Sequence, residues 1–160
     1  MIGLALSVVG VIVAQATLVE LLGFGGIRPD LYLLLVVLWG LRLSPERATL
    51  LGFVLGLYQD VFSGVLLGMR ALTLSLLGFA VARLTEEVQT TDVAHQIILC
   101  FFAGILSGLF TLTLLTFFGL GGGFGGVFLW VILPEAAYTT ALAGLVVGLT
   151  RTRVLLEVRL

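Results

Sequence analysis

Long apolar runs broken by brief polar or charged marks divide the chain into six segments: 2–22, 29 to about 43, 47 to about 63, about 65–83, 93–118, and 127 or 134 to 150. A helix needs about 20 apolar residues to cross a hydrocarbon core of about 30 Å, so this pattern predicts an all-α integral membrane protein, a compact bundle of about six transmembrane helices. The second segment is short for a span. A five-helix arrangement, with the second and third segments forming one re-entrant pair, stays open. The first segment carries no basic lead and no clear small-residue cleavage site, which reads as a retained helix and not a signal peptide.

Helix starts are marked in several places. Pro29 suits a first helical position and Asp30 the positive end of a helix dipole. Ser44-Pro45-Glu46 reads as a turn and a new start, and Thr91 or Asp92 suits a cap for the fifth helix. Pro134 with Glu135 suits either the start of the sixth helix proper or a kink within it. The glycine-rich run 119–126 reads as a flexible external loop.

Basic residues orient the bundle, because cytoplasmic loops carry their excess. With both ends inside, Arg42, Arg47, Arg83, Arg151, Arg153 and Arg159 face the cytoplasm and only Arg28 and Arg70 lie outside. The expected arrangement is therefore multi-pass, with cytoplasmic termini. Composition agrees: 60% of the 160 residues are hydrophobic and 11% charged, which leaves room for one membrane domain, 1–160, and no separate soluble one. A net charge of −1 gives no electrostatic footprint for nucleic acid. The single Cys100 excludes a disulfide within the chain and reads as a small hydrophobe.

Glycines come next. Gly52/Gly56, Gly64/Gly68, Gly104/Gly108 and Gly144/Gly148 each have the spacing that lets helix backbones approach closely in lipid. Packing within one molecule is the first reading, and homodimerisation stays open. Gly52, Gly56, Asp60, Gly64 and Gly68 recur every four residues, a slowly winding seam on the third helix. An ionisable group inside such a run is expensive in a bilayer and marks a place of interest. Three readings of Asp60, placed near the external surface with Arg70 within pairing reach, stay open: a cap for the neighbouring helix or loop, a partner or ligand contact, or a proton or ion relay. Glu20 and Glu135 are the other acidic groups in or beside apolar runs. Enzymatic chemistry finds little support: His95 is the only histidine, Ile105 spoils an intramembrane serine-protease motif around Ser107, and no metal, phosphate-loop or paired-cysteine motif is present. No cofactor is expected.

In order along the chain, Gln15-Ala-Thr-Leu, Arg28-Pro-Asp-Leu, Trp39-Gly-Leu-Arg, the block from Gly52 through Tyr58-Gln-Asp60 and Gly68-Met-Arg70 to Leu72, and Leu133-Pro-Glu-Ala-Ala-Tyr resemble the rod-shape-determining MreD family. The resemblance implies a non-catalytic scaffold or regulatory subunit of the cell-elongation machinery, located in the bacterial inner membrane. It implies binding to the membrane helix and adjacent region of MreC, and coupling of MreB to RodA and a class B penicillin-binding protein in peptidoglycan synthesis. Gly52, Gly56, Asp60, Gly64, Gly68 and Arg70 are then the expected partner-binding or structural positions. The chain also looks like the substrate-binding subunit of an energy-coupling-factor vitamin transporter, for which Tyr58, Gln59, Asp60, Trp130 and Tyr138 would line an external cavity.

Overall fold

The computed structural model describes residues 2–22, 29–63, 67–87, 93–119 and 124–157. Every regular element among them is helical: α1 (Ile2–Leu22), α2 (Leu31–Gly40), α3 (Pro45–Ser63), α4 (Met69–Glu87), α5 (Val93–Phe117), α6 (Phe124–Val127), a π-helical turn (Phe128–Ile132) and α7 (Leu133–Glu157). Two stretches, Ala94–Phe117 and Phe128–Gly148, are long and apolar enough to cross a membrane; the apolar stretches Leu6–Gln15 and Leu31–Gly40 are shorter.

The second segment is shorter than its apolar run suggests. Ten residues of α-helix rise only about 15 Å, so α2 is about half as long as a hydrocarbon core of about 30 Å is thick. Its sequence is apolar on every face, and such a helix must be buried on every face. Tyr32 through Val37 are all buried, and α2 packs against α1, α3, α4, α5 and α7. The core gathers around it, with Leu55, Leu74, Leu77, Val81, Cys100 and Ala103 from three neighbouring helices.

α3 and α4 form an antiparallel pair at backbone distance. A side chain at Gly52 would collide with the Leu74 carbonyl, one at Gly56 with the backbone of Ala71, and one at Gly78 would lie 2.5 Å from the Ala48 carbonyl oxygen. α5 and α7 repeat the device more loosely, Gly104 facing Ala136 and Gly108 facing Ile132. Facing outward are Phe53, Leu57, Phe62, Leu76, Phe102 and Trp130, an apolar surface suited to lipid.

The end of the chain differs from the sequence expectation. Helix begins at Phe124, inside the glycine run expected to be a loop, and continues through the π turn into α7. Residues 120–123 of that run lie outside the described residues. Pro134 and Glu135 therefore lie in the first turn of α7 but inside a continuing helix, the second of the two placements expected for them. Proline has no N–H and crowds the carbonyl four residues back. The wider turn immediately before it, closed by the Leu133 N–H donating to the Phe128 carbonyl, relieves that crowding within a continuous helix.

Candidate functional site

Two buried aspartates organise the polar interior. Asp60, at the last turn of α3, is 3% exposed. Its Oδ2 accepts the N–H groups of Gly68 (2.9 Å) and Ala71 (3.1 Å), and its Oδ1 accepts that of Arg70 (3.0 Å). These are donors that the start of α4 leaves without intrahelical partners. The residue preceding α4 is Gly68, which adopts φ +98° and has no side chain to cap with. A carboxylate from α3 does so instead, and a negative charge at a helix N-terminus is favourable in itself.

Asp30 caps α2 from within its own chain segment: Oδ1 accepts the Leu33 N–H at 3.0 Å. Helix begins at Leu31, so Pro29 precedes the cap and is not the first helical residue. Asp30 Oδ2 receives Arg70 Nη1 at 3.2 Å, and the Asp30 N–H donates to Thr139 Oγ1 at 3.1 Å. Gln15 clamps the same segment from α1, its Nε2 donating to the Pro29 carbonyl (3.4 Å) and its Oε1 accepting the Leu31 N–H (3.1 Å). Arg70 thus touches both aspartates, Asp60 through its backbone and Asp30 through its guanidinium. A side-chain pair between Asp60 and Arg70 is not formed, because all of Asp60's acceptor geometry is directed at the backbone of α4.

A cavity of about 20 Å³ opens beside Asp30 and Arg70, closed by Ser107 on α5 and by Glu135 and Thr139 on α7. Glu135 and Thr139 share one helical face by their spacing of four, and Gly104 and Gly108 bring α5 close enough to complete the wall. Beyond Ser107, α5 runs on for ten residues, about 15 Å, so the cavity lies well within the span.

The expected site residues separate into groups. Gly52 and Gly56 hold this chain's own α4 and offer no open seam to a partner. Gly68 and Arg70 meet Asp60 at the α4 cap. Asp30 and Glu135 join Arg70 at the cavity. Gly64 and the side chain of Glu20 lie outside the described residues. Gln15, Ser107 and Thr139 are the members that sequence reasoning did not assign to this site. Tyr58 packs on Tyr32 and Phe62, Trp130 is 79% exposed, and Asp60 is engaged in capping, so these three do not line a common transporter-type cavity. Neither Tyr58, Gln59 nor Tyr138 borders the polar cavity.

Thr139→Val removes the acceptor for the buried Asp30 N–H while keeping the side chain's shape. The expected loss is about 1–3 kcal/mol, read as lower thermal stability in lipid nanodiscs, with Thr139→Ser restoring most of it. Wild-type stability in the valine variant would show that the bond is dispensable.

Neither a curated protein nor a solved structure matches the chain. The family model described as rod shape-determining protein MreD matches residues 1–152, a range that takes in both aspartate caps, the α3–α4 glycine seam and the polar cavity. By that match, the chain belongs to the MreD family of rod shape-determining membrane proteins.

Proposed function

We propose that this protein is a non-catalytic subunit of the machinery that builds the cell wall during elongation, lying in the inner membrane with six crossings and both termini in the cytoplasm. The family match carries the reading. Helix directions support the topology: α3 and α5 run from the end of the bundle bearing Arg47 and His95, and α4 returns to it with Arg83 and Glu86. On this reading α2 is the shortest of the six crossings, and the longer helices pack around it.

MreC is the expected direct partner, with RodA, a class B penicillin-binding protein and MreB further along the assembly. The glycine seams are filled from within, so a partner's membrane helix would meet an outer face. The exposed Phe62 and Leu67 flank the α3–α4 turn beside the Asp60 cap and supply an apolar contact there. A scaffold built this way transmits the position of a partner through the Asp60 cap that ties α3 to α4.

Co-purification from the native membrane tests the proposal. MreC is expected to be recovered with the wild-type protein and lost at least tenfold with the Phe62→Ser, Leu67→Ser double variant, whose thermal stability stays unchanged. Full recovery of MreC with that variant would move the contact elsewhere, and absence of MreC from the wild-type preparation would overturn the assignment itself.

A further inference from the structure

The polar cavity contains an uneven set of charges. Asp30 from α2 and Glu135 from α7 supply two carboxyl groups, Arg70 from α4 one guanidinium. Asp30 and Arg70 are already paired at 3.2 Å. From α5 the walls are Gly104, Ser107 and Gly108, which bring no charge, and among the described residues α1 reaches the neighbouring backbone through neutral Gln15. Among the described residues Glu135 is therefore the surplus anion, and it lies inside Phe128–Gly148, one of the two stretches long and apolar enough to cross a membrane. An unmatched charge at such depth is strongly unfavourable.

Ser107 supplies an independent sign that something occupies the cavity. Hydroxyls on the helices here commonly donate to a carbonyl four residues back, as those of Thr49, Thr73, Ser75, Thr85 and Thr140 do. Ser107 is 2% exposed, its Oγ has no hydrogen-bond partner, and it borders the cavity. A buried hydroxyl without a partner costs about 1–3 kcal/mol. The volume of about 20 Å³ matches a single water molecule, which has the donors and acceptors to serve both Ser107 and a carboxyl group.

We propose that this cavity is a proton-binding site, in which one water held by Ser107 adjoins Glu135 and the cluster carries one exchangeable proton. A proton taken from solvent forms an O–H bond on the Glu135 carboxylate, and its return to solvent restores the carboxylate; no other bond changes. One added positive charge balances the two carboxyl groups against the single guanidinium. A divalent ion would overshoot that balance, and a cavity of this size would not admit its hydration shell. The inference does not depend on which protein partners the chain engages.

Infrared difference spectroscopy of the full-length protein in lipid nanodiscs, labelled with glutamate carrying 13C at its side-chain carboxyl, tests it. A 13C-shifted carboxylic-acid C=O band is expected at neutral pH, disappearing as the pH is raised and absent from Glu135→Gln. The band is also expected to vanish from Asp30→Asn, where Glu135 remains but Arg70 is left to offset it. Ser107→Ala should keep the band and shift its frequency, because a hydrogen bond to the bound water is lost. No titrating glutamic-acid band in the wild-type protein would overturn the proposal without recourse to any variant, and so would a band that survives in Glu135→Gln or in Asp30→Asn.

Discussion

Gly52→Leu is expected to abolish accumulation of the folded protein in the membrane, and Gly52→Ala to lower its stability severely. A Cβ at this position meets the carbonyl of Leu74, with the Leu74 carbonyl carbon at 2.6 Å and the Ser75 nitrogen at 2.9 Å. All three are backbone atoms of α4, which no rotamer change can move aside. α3 and α4 must separate, and Gly56 against Ala71 and Gly78 against Ala48 lose contact with them. Overpacking a well-fitted interior costs about 1–3 kcal/mol and occasionally more; alanine at Gly52 belongs at or above the upper end because the whole seam moves as a unit. Gly10→Ala is the control. Nothing lies within 4 Å of a Cβ placed there, and alanine is the better helix former by about 1 kcal/mol, so that variant should unfold no earlier than wild type. The two alanine variants can be compared by thermal unfolding in nanodiscs; equal midpoints would show that the seam tolerates expansion.

The seam also shows what was legible in the sequence. Four-residue spacing of small residues reports that a close approach occurs, and the composition alone carries the helical, membrane-embedded class. It does not report which helix makes the approach. Gly78 has no second glycine at that spacing in α4, yet it lies against Ala48, and only the antiparallel pairing of the two helices brings them together. α2 was harder still. Its apolar run continues into the turn through Leu41 and Leu43, so hydropathy lengthens it, whereas the helix stops at Gly40, where a side chain would press on Val81. The polar site depends on contacts between residues distant in sequence: Asp30 meets Arg70 and Thr139 from two other helices. Asp60 was recognisable as unusual, and a cap for the neighbouring helix was the first of the readings open for it, beside a pairing with Arg70. What decides for the cap is the absence of a side chain at Gly68, which leaves the start of α4 in need of an acceptor that the carboxylate at the end of α3 supplies.

Asp60 therefore yields the other large effect. Asp60→Ala leaves the N–H groups of Gly68, Arg70 and Ala71 without their acceptor. An unsatisfied buried donor costs about 1–3 kcal/mol, and the charge lost from the helix N-terminus adds up to about 2 kcal/mol in a partly buried setting. Three donors together place the expected loss at about 3 kcal/mol or more, enough to prevent stable folding. Asp60→Asn is the more informative substitution. Its one carbonyl oxygen can accept either the Arg70 N–H or the Gly68 and Ala71 pair, and its amide group then points a donor at the remainder. The asparagine variant should accordingly lie between alanine and wild type in thermal stability, below wild type by about 1–3 kcal/mol, whichever way the amide turns. Arg70→Gln separates this cap from the cavity beyond it: the backbone N–H that Asp60 accepts is retained while the guanidinium on Asp30 is removed. Hydrogen exchange at the first turn of α4 should remain slow in Arg70→Gln and become fast in Asp60→Asn. Fast exchange in both variants would mean that the guanidinium, and not the backbone, is what Asp60 needs from Arg70.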